Sequence, residues 1–184
     1  MNLANLYMQE INRLSKEFRI TTNKWLYNYQ YSGIIANEIP NCKIIHCFRN
    51  PLDNILSIYR AHFESGNYYS SSLIDSTKVY LDQEQIMSIY KDKFHQKIYD
   101  LNYDLLVKNP SKEIKALINW LGWEWNASYL SPDLNDRAVY TASDIQVRSP
   151  INTKSIGGWK NYKEMLRPAI EIFTKKYKYK DLKF

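Results

Sequence analysis

Arg49 stands between an apolar run at residues 43–48 and a helical pattern that starts at Pro51. An arginine beside a helix N-terminus is well placed to hold a phosphate, because guanidinium is a planar bidentate donor and the first N–H groups of a helix have no partner within it. Ser57 lies one helical turn beyond Asp53, so its hydroxyl could join the same anion. These residue types therefore predict phosphate binding at Arg49 and Ser57.

The residues around this arginine predict a strand, a helix cap and an amphipathic helix, in that order. Asn50 is placed to cap the helix, and Pro51 suits its first position. The apolar residues that follow at helical spacing are Leu52, Ile55, Leu56, Tyr59 and Phe63. Ligands of open α/β sheets bind outside the carboxyl ends of the strands, where this turn would lie. The alternative is an ordinary strand–helix unit whose arginine is only solvated.

The string from Arg49 to Ser57 reads Arg-x-Pro-x-Asp-x-x-x-Ser. It resembles the 3′-phosphate-binding motif of sulfotransferases that use 3′-phosphoadenosine 5′-phosphosulfate (PAPS) as donor. In that family the arginine and the serine hold the 3′-phosphate, which implies those roles for Arg49 and Ser57. The resemblance also implies sulfuryl transfer to a hydroxyl acceptor, with protein tyrosine as one such acceptor, and it implies no metal.

The segment Thr21-Thr-Asn-Lys24-Trp-Leu-Tyr-Asn28-Tyr resembles the family's Thr-Asp-Lys-x-Pro-x-Asn-Phe. The lysine of that motif sits near the transferring sulfuryl group, which implies that Lys24 stabilises developing charge. Two positions depart from the pattern, because Asn23 replaces the acid and Leu26 replaces the proline. Without the resemblance, Lys24 would read as one more surface lysine.

Residues 100–110 resemble the family's Tyr-Glu-Asp-Leu-Val segment, in which the tyrosine hydroxyl reaches the 3′-phosphate. That role would fall to Tyr103. The alternative is a tyrosine that packs under the next helix, which is a common arrangement in a chain with 16 tyrosines.

Residues 141–159 resemble the loop that covers the nucleotide in bacterial sulfotransferase domains linked to tetratricopeptide repeats. Adjacent glycines let a backbone approach a phosphate and present its N–H groups. Gly158 stands where relatives often have a basic residue, and a plain Gly-Gly turn is the alternative. Arg148 is a further candidate for an anion. The resemblance implies cofactor contacts at Thr153, Lys154, Ser155 and Gly157.

The four motifs occur in the family's order between residues 20 and 167, and the nearest relatives in this resemblance are the tetratricopeptide-linked and tyrosylprotein sulfotransferases. They predict an α/β fold with a parallel sheet flanked by helices. The resemblance implies a Gly-rich phosphate loop at the start of the domain and a general base between that loop and the lysine motif. Neither has a counterpart here, because the first glycine is Gly33 and no Gly-rich strand-to-helix turn lies upstream of Arg49. We therefore expect a P-loop NTPase-like sulfotransferase fold without its first strand and phosphate loop. An N-terminally truncated, degenerate or split enzyme, completed by an upstream fragment, would look like this.

Composition is that of one globular domain over residues 1–184, with 45% apolar and 24% charged residues and a net charge of +6. Cys42 and Cys47 are predicted on one strand, facing opposite sides, as reduced core residues of a cytoplasmic protein. Neither a signal peptide nor an apolar run of about 20 residues is present, so no membrane span is expected.

Periodicity and breakers predict helices, strands and loops along the whole chain. The predicted helices span residues 3–18, 27–39, 51–64, 77–94 and 112–121 and a segment from 161 onward, and the strands span 43–48 and 97–102. Residues 103–110 and 124–152 are predicted as loops.

Two other classes of function remain open on sequence grounds. A non-catalytic nucleotide-binding module is favoured by the missing phosphate loop. The Lys–Tyr alternation at residues 175–183 is compatible with nucleic-acid binding, but a solvated helix end explains it better, so no nucleic-acid partner is expected.

Overall fold

The structure is a computed structural model that describes residues 3–14, 20–61, 63, 66–136, 146–176 and 179. In chain order its helices and strands are α1 (Leu3–Leu14), α2 (Asn28–Glu38), β1 (Ile44–Phe48), α3 (Pro51–Arg60), α4 (Leu73–Phe94), β2 (Ile98–Asn102), α5 (Tyr103–Lys108), α6 (Pro110–Leu121) and α7 (Arg167–Thr174). Short 3-10 turns lie at Tyr68–Ser71, Ala127–Leu130, Pro132–Leu134, Gln146–Arg148 and Gly158–Tyr162.

β1 and β2 are neighbours in a two-stranded parallel sheet. Parallel strands need a long crossover, and α3 and α4 supply it between the two. The expected combination of helices with a parallel sheet is confirmed at this level of detail.

The predicted elements differ from the observed ones mainly at their ends. α3 stops at Arg60 instead of residue 64, and Tyr59 is exposed instead of lying on the buried face. α5 occupies residues that were predicted as a loop, because Asn102 caps its first N–H groups and the chain turns directly from strand into helix. Residues 15–18 of the first predicted helix lie outside the described part.

By its internal contacts the chain divides into two units, and the first comprises Met1–His46 and Gln83–Tyr99. In this unit α2 lies against α4 at Gly33, where an added Cβ would stand 2.5 Å from the Tyr90 ring. A larger residue at this position would require the Tyr90 side chain to move.

The second unit comprises Cys47–Asp82 and Asp100–Phe184 and holds an apolar core. Phe173 is fully buried and meets the rings of Tyr80 and Tyr179 edge-on, with centroids 5.7 and 5.0 Å away. The buried members of this core are Leu52, Ile55, Leu56, Tyr80, Trp159, Leu166, Ala169, Phe173 and Tyr179. The core therefore joins α3 to α7 and to the 3-10 turn at Trp159. The expectation of a single domain over residues 1–184 stays a prediction.

The two cysteines are free, but they do not occupy the predicted positions. Cys42 precedes β1, and its Sγ donates to the carbonyl of Ile35 at 3.3 Å. Partial burial raises the pKa of the Cys42 thiol, and the charge of Lys97 opposes this shift. Cys47 lies on β1 and is exposed, so placing both cysteines in the core was wrong.

Within the described ranges, no helix combines the length and the apolar character needed to cross a bilayer. Those same residues contain no cluster of three or more histidine, cysteine or acidic side chains arranged to hold a metal ion.

Candidate functional site

Two strand-to-helix turns of the same construction lie at the carboxyl ends of β1 and β2. After β1, the Asn50 side-chain oxygen accepts from the N–H groups of Leu52 and Asp53 at 3.0 and 3.1 Å. After β2, the Asn102 oxygen accepts from the next helix in the same way, at 2.9 and 3.1 Å. Asparagine is a favoured N-cap because its short side chain reaches the unpaired N–H groups of the first turn.

Asp104 connects the two turns. The backbone N–H of Asn50 donates to Asp104 Oδ2 at 2.8 Å, which fixes the start of α3 against the start of α5. The other oxygen, Asp104 Oδ1, is buried and lies 4.0 Å from Arg49 Nε.

Arg49 lies at the centre of the candidate site, with a side chain that is 16% exposed. Its Nη2 donates to the carbonyl of Ser155 at 2.6 Å and stands 3.8 Å from Asp53 Oδ2. Its guanidinium carbon lies 5.2 Å from the centre of the Tyr103 ring, within cation–π range. Arg49 Nε is buried and has no hydrogen-bond partner among the described residues. The protein therefore leaves part of the donor capacity of this guanidinium unused.

Asp53 attaches the glycine loop (residues 153–159) to α3. Its carboxylate is 2% exposed and accepts from two backbone N–H groups, that of Gly157 at 2.7 Å and that of Trp159 at 2.9 Å. Gly157 has a φ of 71°, a left-handed conformation that glycine adopts without steric cost. The N–H groups of Gly157 and Trp159 thus converge on the carboxylate from either side of Gly158.

The structure brings four of the sequence-predicted residues together. The Arg49 guanidinium contacts both the Ser155 carbonyl and the Tyr103 ring. Gly157 is held near this group because its N–H donates to Asp53. Whether they bind a phosphate stays a prediction.

The other predicted residues of this unit are exposed. Ser57 lies on α3, one turn after the buried Asp53, and Thr153 and Lys154 precede Ser155 in the loop. These side chains are available to a ligand, and their cofactor contacts also stay predictions.

Lys24 belongs to the first unit, where it is exposed in a segment without regular structure. Near it, the side chains of Asn23 and Asn28 are hydrogen-bonded at 2.8 Å, and Trp25 stacks on Tyr31 with ring centres 6.2 Å apart. The catalytic role of Lys24 stays a prediction.

The expectation of free backbone N–H groups at this site was wrong. At the start of α3 the N–H groups of Leu52 and Asp53 are taken by the Asn50 cap, and that of Asn54 donates to the Asn50 carbonyl. In the loop, the N–H groups of Gly157 and Trp159 are taken by Asp53. Side chains, rather than these amides, must supply the donors to any bound anion.

Asp53 and Asp104 lie within the motifs that resemble the family, but the sequence predicted no role for them. Asp53 lies about 100° around the helix from Leu52, at the edge of the apolar stripe, where a charged residue usually reads as solvated. The sequence signal that could have found Asp53 is an acidic residue beside the apolar stripe of a helix in a chain that also contains a distant Gly-Gly turn. The further anion candidate Arg148 is exposed and donates to the carbonyl of Asn135. Most of the basic tail after residue 176 lies outside the described residues.

Comparison with known proteins gives matches to a family and to a longer relative. A family model described as "Sulfotransferase family" matches residues 1–127, a range that includes Lys24, Arg49, Ser57 and Tyr103 but ends before the glycine loop. An uncharacterized protein of Aquifex aeolicus (strain VF5) is 30% identical over 178 residues, which cover 95% of this chain and 23% of the relative. The chain thus spans less than a quarter of that relative's length.

Proposed function

This chain belongs to the sulfotransferase family, and we propose that it uses the Arg49 site to bind the 3′-phosphate of PAPS for sulfuryl transfer to a hydroxyl acceptor. Protein tyrosine is the acceptor to test first. The proposed fold is the P-loop NTPase-like sulfotransferase fold, of which this chain contributes the parallel strands that carry the 3′-phosphate site.

The convergence of Arg49, Tyr103 and the glycine loop at the carboxyl ends of two parallel strands is the observation that supports this proposal. Ligands of open α/β sheets bind at this edge. A guanidinium that keeps 16% of its side-chain surface exposed suits a phosphate, because arginine binds phosphate oxygens through paired N–H donors.

Two carboxylates lie near the Arg49 guanidinium, Asp53 at 3.8 Å and Asp104 at 4.0 Å. Three of their four oxygens accept backbone N–H groups, which partly offset the negative charge that a bound anion would meet. Exposed side-chain donors lie on α3 and in the loop. We propose that Ser57 contributes its hydroxyl from α3, and that Thr153, Lys154 and Ser155 contribute donors from the loop.

In this proposal each residue has a defined task. Arg49 holds the 3′-phosphate. The Tyr103 ring fixes the orientation of the guanidinium that lies over it, and the Tyr103 hydroxyl reaches the same phosphate. Gly157 acts through its backbone conformation. PAPS supplies the sulfuryl group, and Lys24 stabilises charge that develops during transfer.

A second candidate function is nucleotide binding without catalysis. It requires only the Arg49 site that the described residues form. The two candidates share the 3′-phosphate site and differ only in turnover.

Replacing Tyr103 with phenylalanine tests the proposed site, because it removes the hydroxyl and keeps the ring beside Arg49. We expect affinity for adenosine 3′,5′-bisphosphate to fall about 10-fold or more, as for loss of a hydrogen bond to a charged group, and affinity for adenosine 5′-phosphate to stay unchanged. Isothermal titration calorimetry measures both.

The matched control is Tyr129→Phe, since Tyr129 is 36% exposed and Tyr103 is 37% exposed. Equal affinity of the unmodified chain for the two nucleotides would contradict the proposed function itself. If the Tyr103→Phe variant binds both nucleotides as the unmodified chain does, only the proposed role of the Tyr103 hydroxyl is excluded.

A further inference from the structure

Asp53 is a buried carboxylate for which the proposed phosphate chemistry has no direct use. Among the described residues, two loop N–H groups donate to its carboxylate at 2.7 and 2.9 Å, and Arg49 Nη2 lies 3.8 Å away. Asp53 thus occupies the anion position that Gly157 and Trp159 create.

Among the described residues, three polar contacts hold the loop on α3 and on the turn before it. Two are the N–H groups of Gly157 and Trp159, which donate to Asp53 on α3, and the third is the Ser155 carbonyl, which accepts from Arg49 in the turn at 2.6 Å. The Trp159 side chain adds a fourth attachment, because it is buried in the core with α3 residues. In all three hydrogen bonds one partner is ionised, which makes them stronger than neutral ones, and two of the three meet on Asp53.

We propose that Asp53 is a positioning residue for the glycine loop. By fixing Gly157 and Trp159 on α3, it sets the Ser155 carbonyl against Arg49 and thereby orients the guanidinium toward the 3′-phosphate. The identity of that ligand rests on the proposed function, whereas the attachment of the loop does not.

The test is Asp53→Asn, which preserves size but replaces one accepting oxygen with an N–H₂ donor opposite a backbone N–H. Amide hydrogen exchange at Gly157 and Trp159 should accelerate by about 10- to 100-fold, the factor that corresponds to one charge-assisted hydrogen bond. Affinity for adenosine 3′,5′-bisphosphate should fall about 10-fold or more, because a displaced loop misorients Arg49. Affinity for adenosine 5′-phosphate should stay constant.

Asp75→Asn is the matched control. Asp75 also lies in the first turn of a helix, but its side chain is 55% exposed and pairs only with Lys78 among the described residues. This variant should leave both exchange and nucleotide affinity unchanged. A general structural role for Asp53 would lower affinity for both nucleotides equally, and that result would overturn the proposal.

Gly157→Ala provides a second route that leaves the buried carboxylate in place. Its φ of 71° strains an alanine, although the nearest atom to an added Cβ is 3.9 Å away. We expect faster exchange at Trp159 and weaker discrimination for the 3′-phosphate. Unchanged exchange in both variants would overturn the attachment. Faster exchange with intact discrimination would overturn the positioning role. If the unmodified chain does not discriminate between the nucleotides, the proposed function fails, and the exchange data still decide the attachment.

Discussion

Replacing Arg49 with alanine should weaken binding of adenosine 3′,5′-bisphosphate far more than binding of adenosine 5′-phosphate. Removing one partner of a buried, hydrogen-bonded charge pair typically costs about 2–5 kcal/mol, and only the first ligand has the 3′-phosphate that Arg49 is proposed to hold. Calorimetry on both ligands gives the two losses separately. Arg49→Lys should recover only part of the loss, because lysine has the charge but not the planar pair of donors.

Arg60→Ala is the matched control for this prediction. Arg60 ends α3 and also lies over a tyrosine ring, with its guanidinium carbon 5.8 Å from the centre of Tyr162. Its loss should leave both affinities unchanged. The Arg49 variant also leaves two carboxylates, Asp53 and Asp104, without their nearby cation, so its folding should be checked by circular dichroism. Equal losses for both nucleotides in a folded Arg49→Ala chain would exclude Arg49 from the proposed role.

The purified 184-residue chain should bind the bisphosphate weakly and transfer no sulfate at a measurable rate. Catalysis needs donors directed at the 5′-phosphosulfate, and the 184 residues to be assayed contain no Gly-rich loop before Arg49 that could supply them. Losing a single such donor typically lowers the rate by about 10²- to 10³-fold, so a chain assayed without that loop should be slower still. An assay with labelled PAPS and tyrosine-containing peptides measures the transfer.

Two results of that assay would change the interpretation. Robust turnover by the chain alone would mean that another segment, such as α1 with Arg13, supplies the missing donors. Turnover that appears only with an added fragment carrying a phosphate loop would identify this chain as the part of a sulfotransferase that holds the 3′-phosphate.

The turn from β1 into α3 was predictable because its signals are local. An apolar run, an asparagine cap and a proline at the first helical position determine the backbone over a few residues, and the structure places the strand end, Asn50 and Pro51 as expected. The meeting of Arg49 with Ser155, 106 residues later, followed only from the order of motifs known in the family.

The acceptor for the loop N–H groups could not be predicted from such local signals. The Asn50 cap was predicted, and it leaves the helix start without the free N–H groups that the phosphate hypothesis assumed. Asp53, which fills the N–H groups of the loop, had no predicted role. Which acceptor reaches which N–H depends on how distant segments pack. The same limit applies to Asp104, whose bond to Asn50 joins two turns that are 54 residues apart.

A nuclear magnetic resonance titration with adenosine 3′,5′-bisphosphate tests whether the Arg49 site binds the 3′-phosphate of the donor. We expect shifts of the Arg49 guanidinium signal and of the amides of Ser57, Tyr103 and Ser155. The same titration with adenosine 5′-phosphate should leave the guanidinium signal in place. Bisphosphate shifts that avoid these residues, or guanidinium shifts of equal size with both nucleotides, would contradict binding of the 3′-phosphate at this site.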